Sequence, residues 1–292
     1  MAFTQIACNI TNIVTDSPCQ KDYLQFSFYG LLFLVGFLVN AAALYAFIVQ
    51  RKSWTDTHVY MFNVSIADTA LILFLPFRVY DALFCLEKNG FCTFLISTHF
   101  INMYASIMTT AAISVHRYLA IKFPMQTRSW RKKKKIAFAV CLVIWGLLVI
   151  INIIYHDQNH PEKLWTCYER CKNLPLNPTL IGMMVFVGYF IPLLIVVFCS
   201  SQIIYVLSKV KDKSKQRKST IGIVTANMIV FIVCYTPIHI SFLVNYYYPV
   251  PTDWQHTSLP AHTYLLVSEW IASTNCCFDS ISYFFLLKRF YS

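Results

Sequence analysis

The chain has 292 residues, of which 57% are hydrophobic and 13% charged, with only seven glycines and a formal charge of +11. That composition excludes an ordinary soluble domain and a disordered acidic chain. The positive charge would suggest nucleic acid as a partner in a soluble protein, but its placement between apolar runs argues for membrane orientation instead.

Residues 1–23 form a polar outer tail without the pattern of a cleavable leader, so the first apolar run is expected to act as its own signal anchor. The tail carries the glycosylation sequon Asn9-Ile10-Thr11. Seven apolar runs follow, at 24–49, 60–83, 91–123, 136–155, 179–207, 221–248 and 264–287. A hydrocarbon core of ~30 Å needs about 20 helical residues, and helices satisfy their amides internally. The expected fold class is therefore all-α membrane, a seven-transmembrane helix bundle over 24–287, with a short cytoplasmic tail at 288–292. Residues 286–291 have the pattern of a short amphipathic eighth helix, with Phe290 turned inward.

Eighteen of the 24 basic residues, Arg117 and the run Arg131–Lys135 among them, fall on one side of these runs. The positive-inside rule puts that side in the cytoplasm and the amino terminus outside. The basic run is also expected to meet anionic membrane lipids. Six cysteines (Cys8, Cys19, Cys85, Cys92, Cys167 and Cys171) fall outside, where disulfides persist. Their spacing leaves fifteen pairings open. Cys141, Cys199, Cys234, Cys276 and Cys277 lie within helices and read as small apolar packers.

Ionisable and amide groups inside a span are costly and invite a functional explanation. Asn40, Asp68, Ser106, Asn275 and Asp279 all fall in the inner halves of their helices, and Asn275 and Asp279 share a face. Two carboxylates at one depth repel, so either one is neutral in a wet polar cluster or a Na⁺ sits among Asp68, Ser106, Asn275 and Asp279. Pro76, Pro192 and Pro237 interrupt three helices and suggest a bundle with two packings.

These landmarks, in order, resemble the rhodopsin-like (class A) G-protein-coupled receptors across essentially the whole chain. They include Gly36-Phe-Leu-Val-Asn40, Asn63-Val-Ser-Ile-Ala-Asp68, Leu75-Pro76-Phe77 and Cys92. His116-Arg117-Tyr118, Trp145, Pro192, Cys234-Tyr235-Thr-Pro237 and Asn275-Cys-Cys-Phe-Asp279-Ser-Ile-Ser-Tyr283 complete the set. Leu75-Pro76-Phe77, Pro237-Ile-His239 and Asp279-Ser280 are similar to the branch holding the lysophosphatidylinositol and kynurenic-acid receptors. The resemblance implies a plasma-membrane receptor for a small-molecule or lipid agonist, coupled to a heterotrimeric G protein. It implies that the sixth helix swings out near Tyr235 and Pro237. Arg117 is implied as the switch, with Tyr118 and Tyr283 as its partners. It further implies a Cys92–Cys167 bridge, with Cys171 as competitor.

One position departs from the pattern. His116 stands where the family has an acid that restrains the arginine. Ligand-free signalling is therefore expected to rise, unless other contacts compensate. In the outer half, Arg78 either greets an anionic ligand group or pairs internally with Asp81 or Glu269. His99, Met103, Tyr104, His239, Leu243 and Trp270 are expected around it, with His156 and Tyr246 at the rim. Such a set suits an amphiphilic anion, a lysophospholipid or an aryl carboxylate. A transporter or ion carrier is the alternative of a different class. No H-E-x-x-H pattern marks an enzyme, no cofactor is expected apart from the Na⁺, and 264–287 has no lysine for a retinal Schiff base.

Overall fold

Polar caps set the helix starts and lipid does the rest. The computed structural model describes residues 21–49, 51, 54–125, 134–172, 174, 176–210, 215–248 and 259–289. Side chains are described for all of these except 215–216 and 283–289. The helices are α1 (Tyr23–Val49), α2 (Asp56–Phe84), α3 (Gly90–Lys122), α4 (Lys134–Ile154), α5 (Pro178–Lys209) and α6 (Lys215–Tyr247). The seventh crossing is two helices, α7 (Pro260–Ser273) and α8 (Asn275–Arg289). Cys8, Asn9, Cys19, residues 131–133 and Phe290 lie outside the described residues.

Asp22 caps α1 through Leu24 N–H and Gln25 N–H. Asn89 does the same for α3 through Phe91 and Cys92. Helix α2 begins four residues before its apolar run because Thr55 and His58 form a reciprocal cap there, Thr55 N–H donating to His58 Nδ1 at 3.0 Å. Helix α1 packs on α2 and α8, α2 on α3 and α4, α3 on α4 and α5, and α6 on α5, α7 and α8. That order closes a ring. Helix α4 buries only Ala137 and Cys141, so most of its surface faces lipid.

Two helices depart from straight α geometry. The bend expected at Pro192 is a wide π-helical stretch, Met183–Phe190, immediately before the proline. Gly188 in that stretch is required by a close approach, since a Cβ there would stand 2.5 Å from the Tyr104 ring. The seventh crossing breaks at Thr274, whose N–H reaches Trp270 O and Ile271 O and whose hydroxyl donates to Ile271 O. No proline or glycine marks that break, so the sequence reads one continuous run. Helix α8 continues to Arg289 without the expected separate start near residue 286.

The core has an outer-to-inner seam of Met103, Tyr104, Ile107, Phe231, Tyr235 and Ile238, where α3, α5 and α6 meet. A second cluster, including Tyr29, Ile72, Leu75 and Cys276, holds α1, α2 and the α7–α8 junction. Gly36 permits that contact, because a Cβ would stand 3.2 Å from Ile72. On the outer side, the segment between α4 and α5 makes two short helical turns and a single antiparallel bridge, Leu164 to Arg170. Cys167, between the bridge residues, is disulfide-bonded to Cys92 at the head of α3, with a Cα–Cα distance of 5.2 Å. Cys171 and Cys85 are each disulfide-bonded too, which removes Cys171 as the competitor for Cys92. Cys141, Cys199, Cys234, Cys276 and Cys277 are free and buried.

Candidate functional site

Two polar clusters lie one above the other along α2 and the seventh crossing. The outer one centres on Arg78, which is 6% exposed. Its Nη2 donates to Glu269 Oε2 of α7 at 2.6 Å. Asp81 does not pair with it, because Asp81 Oδ1 accepts from Leu86 N–H at 2.8 Å and finishes α2. Two aromatic faces enclose the guanidinium, Tyr29 of α1 at 4.6 Å and Tyr168 of the loop at 4.8 Å. Arg78 Nε has no hydrogen-bond partner. The loop that carries Tyr168 is held by the Cys92–Cys167 bridge, by the disulfide at Cys171 and by Glu169, whose carboxylate lies 3.6 Å from His262 of α7. Burial would raise the Glu169 pKa, but the bond to His262, with Lys172 and Arg78 nearby, holds it below the usual glutamate range.

Below this lid is a narrow cavity, about the size of one water, lined by Leu71, His99, Asn102, Met103, Tyr235, Ala272 and Ser273, among others. His99 and Met103 therefore stand where the sequence puts them. Tyr104 and His239 do not line it. His239 stacks on Tyr189 with 4.2 Å between centroids. Its Nδ1 meets the Tyr235 carbonyl at 2.7 Å and must donate there, which leaves Nε2 to accept from Tyr104 OH at 3.2 Å. Both ring nitrogens are thus committed. Leu243 packs against the same core, and Trp270 stacks on Phe28 of α1 at 5.1 Å, away from the cavity. Tyr246 is exposed and packs edge-on against Tyr247, while His156 begins a helical turn after α4.

The inner cluster brings together all five polar residues singled out in the sequence. Ser106 Oγ donates to Asp279 Oδ2 at 3.0 Å, and Asn275 Nδ2 donates to the same oxygen at 2.6 Å and to Ser106 Oγ at 3.1 Å. Asn40 ties α1 to the seventh crossing, donating to Cys276 O and accepting from Ser280 Oγ. Asp68 is 1% exposed, and its Oδ2 has no partner. Asn102 is near enough to act on it, yet its Nδ2 completes no hydrogen bond. An unmet buried polar group costs about 1–3 kcal/mol, so the cluster is under-satisfied as it stands.

From Asp279, Asn275 and Tyr235 a second, larger cavity runs past Thr110 and Ser114 to Arg117. Beside it, His116 faces an acid after all, one from another helix. Its Nε2 is 3.7 Å from Asp56 Oδ2 and its Nδ1 3.4 Å from Thr57 Oγ1. This contact is of the compensating kind that offsets the lack of an acid at residue 116. Tyr118 turns toward α5, edge-on to Phe198 at 5.8 Å. Pro237 lies within α6, two residues from the buried Tyr235. Tyr283 is on α8, with its side chain outside the described set. Asn63, within α2, accepts from Trp145 Nε1 at 2.8 Å, which explains two of the landmark residues as structural.

Four residues of these clusters carry little signal in the sequence. Tyr29 is visible only as part of the buried stripe Tyr29, Leu32, Gly36, Asn40, Ala43 and Phe47, which has helical spacing. Tyr168 is marked in the sequence only by following Cys167. Asp56 looks like a helix-start acid, and Asn102 carries no local signal.

A family described as 7 transmembrane receptor (rhodopsin family) matches residues 39–283. The chain is similar to the G-protein coupled receptor 35 of Homo sapiens, 30% identical over 272 residues, covering 91% of this chain and 84% of that one. It is similar to the human G-protein coupled receptor 55, 29% identical over 276 residues, covering 91% and 86%. The lysophosphatidic acid receptor 6 of Gallus gallus is 29% identical over 295 residues, covering 94% of each chain.

Proposed function

Because the chain belongs to the rhodopsin family of seven-transmembrane receptors, we propose that its outer cavity receives a small amphiphilic anion and that α6 relays its arrival inward. The protein is a G-protein-coupled receptor, a multi-pass plasma-membrane protein and not an enzyme. Nothing in its relatives supports a transporter or ion carrier. The observation that carries the ligand reading is Arg78, a guanidinium nine-tenths buried above the cavity with Nε unused. Similarity to a lysophosphatidic acid receptor supports the lipid form of that ligand, and Leu71, Met103 and Ala272 form the apolar part of a cavity wall shared with His99, Asn102, Tyr235 and Ser273.

The relay follows from what the cavity walls belong to. Tyr235 of α6 and Asn275 of α8 line both cavities. A ligand that presses on either one acts directly on the wall of the inner cavity, and Pro237 leaves α6 a missing backbone bond about which to pivot. A heterotrimeric G protein is the partner for the opened inner face.

We also propose that Na⁺ occupies the inner cluster. Asp68, Ser106 and Asp279, with Asn275, present hard oxygens, and the orphaned Asp68 Oδ2 supports an absent cation. Such an ion would neutralise two buried carboxylates and hold α2, α3 and α8 together.

The ligand reading is tested by nucleotide exchange on G protein in membranes from cells expressing the receptor. 1-Oleoyl lysophosphatidic acid and aryl carboxylates are the probes. The Arg78→Gln/Glu269→Gln double variant removes both charges together, so the receptor still folds. It is expected to need at least about tenfold more probe. An unchanged response would remove Arg78 from the ligand site.

A further inference from the structure

We propose that the outer site takes a ligand bearing a cationic group beside its anionic one, the anion on Arg78 and the cation on Glu269. This deepens the anion reading of the same site and rests on it. The two residues form a one-to-one pair at 2.6 Å, with side-chain exposures of 7% and 18%. Glu269 is the less enclosed of the two, so it stands toward the entrance. Arg78 Nε is buried without a partner, a second donor that an incoming anion reaches when the Tyr29 and Tyr168 cover shifts, with the bond to the carboxylate kept. Two anions then share one buried cation, and a net negative charge is trapped in a medium that solvates it poorly.

The neighbouring cations do not relieve that excess. On the loop above, Lys163 is bonded to Asp157 and Arg170 reaches Gln158 Oε1. His262 and Lys172 both attend Glu169, and Lys88 donates to the Leu164 carbonyl. A ligand that brings its own ammonium supplies the fourth charge. The result is an alternating set, ligand cation against Glu269 and Arg78 against ligand anion, whose sum is zero. The Tyr29 and Tyr168 faces already turned on Arg78 make the same region hospitable to positive charge. Below it, the narrow cavity lined by Leu71, Met103 and Ala272 together with His99, Asn102 and Ser273 must widen to take the apolar part. The ligand class is a zwitterionic amphiphile, with the head group of an α-amino acid or of a phosphoethanolamine.

Matched probes separate the charge from the rest of the molecule. Phenylalanine and 3-phenylpropanoate differ only by an ammonium group. 1-Oleoyl lysophosphatidylethanolamine and 1-oleoyl lysophosphatidic acid share glycerol, acyl chain and phosphate. Nucleotide exchange on G protein and thermal stabilisation of the purified receptor are read for each. In at least one pair the zwitterion is expected to act at about tenfold lower concentration than the anion. The pair that does so identifies the head group. Glu269→Gln is expected to invert that order, and Glu269→Asp, which keeps the charge, to retain it.

An anion equal to or better than its zwitterion in both pairs overturns the proposal. So does a zwitterion advantage that survives Glu269→Gln. If the anions act and lose potency in the Arg78→Gln/Glu269→Gln variant while no zwitterion advantage appears, only this proposal fails. If every response ignores that variant, or no probe of the four binds, the anion reading fails with it.

Discussion

The outer and inner halves of the bundle are built on opposite principles. Outside, the charges at the centre are paired. Arg78 has Glu269, Glu169 has His262, and Asp81 closes the end of α2, under a loop fixed by a disulfide. Inside, Asp68 Oδ2 and Asp56 Oδ1 are carboxylate oxygens buried without partners, whereas the orphaned atoms outside are donors, Arg78 Nε, Tyr29 Oη and Trp270 Nε1, and the larger cavity reaches Arg117. Ion pairs and a disulfide hold the outer half in one shape, which suits a surface that must recognise. Unpaired carboxylate oxygens gain by rearranging or by taking up a cation, so a second packing of the inner half costs little.

The strongest way to break this comparison is to unlock the outer half. Cys92→Ser releases a cross-link spanning 75 residues, which the chain-entropy relation values at about 4 kcal/mol. The expected outcome is a large fall in thermal stability and surface expression, with loss of agonist response, since Tyr168 is no longer held over Arg78. Cys171→Ser, on a different bridge, leaves the Cys92–Cys167 link intact and is expected to spare the Arg78–Tyr168 contact. Equal loss of agonist potency in both variants would show that the particular bridge over Arg78 does not matter.

Next in size is the buried ion pair itself. Arg78→Ala strands the Glu269 carboxylate, and removing one partner of such a pair costs about 3–5 kcal/mol. The Arg78→Gln/Glu269→Gln double variant strands nothing and is expected to melt within roughly 1 kcal/mol of wild type. A double variant as unstable as Arg78→Ala would mean the pair is a structural clamp. The outer half would then be rigid for reasons unrelated to recognition.

A smaller effect belongs to the inner half. Asp56 is 5% exposed and 3.7 Å from Nε2 of His116, the residue before Arg117. Asp56→Asn is expected to raise ligand-free nucleotide exchange several-fold, because about 1 kcal/mol shifts a two-state balance roughly fivefold. His116→Asp places a second acid against Asp56 and is expected to raise it as well, through repulsion. Should His116→Asp quieten the receptor, the restraint comes from the residue's own position in α3, and Asp56 is a bystander.

The halves also differed in how far the sequence revealed them. The inner cluster was legible because membrane helices admit few polar residues, so Asn40, Asp68, Ser106, Asn275 and Asp279 stand out against their apolar surroundings and fall at one depth. The outer site was legible only in outline. Arg78 stood out for the same reason, but its partner depends on how α7 is rotated, and Asp81 was as plausible from spacing as Glu269. Tyr104 and His239 satisfy helical spacing toward the cavity, yet the π-helical stretch of α5 brings Gly188 and Tyr189 against them and closes that face. Periodicity assumes 3.6 residues per turn, and it fails where the turn widens. The break at Thr274 was invisible for a similar reason, since a threonine's bond to a carbonyl leaves no compositional mark.

The smallest predicted effect probes whether the outer half stays closed as conditions change. Glu169 is held below the usual glutamate range even though burial opposes its charge, because His262 and nearby cations outweigh burial. A depressed carboxylate stabilises the fold fully above its unfolded pKa, near 4.5, and that contribution is lost as pH falls through the folded value. The Glu169 contribution to slowing amide exchange over 164–170 is therefore expected to be constant from neutral pH down to about 5 once corrected for intrinsic rates, and to be lost only below that. The amplitude should be about 1 kcal/mol or less, since the two side chains keep some contact with water. Glu169→Gln should abolish the acid-dependent step. Because the loop's carboxylate is silent between pH 5 and 7, any change in ligand-free signalling across that window must originate elsewhere. Asp56→Asn provides the test, since a pH response that persists in that variant excludes the Asp56–His116 contact as its source and would break the assignment of bistability to the inner half.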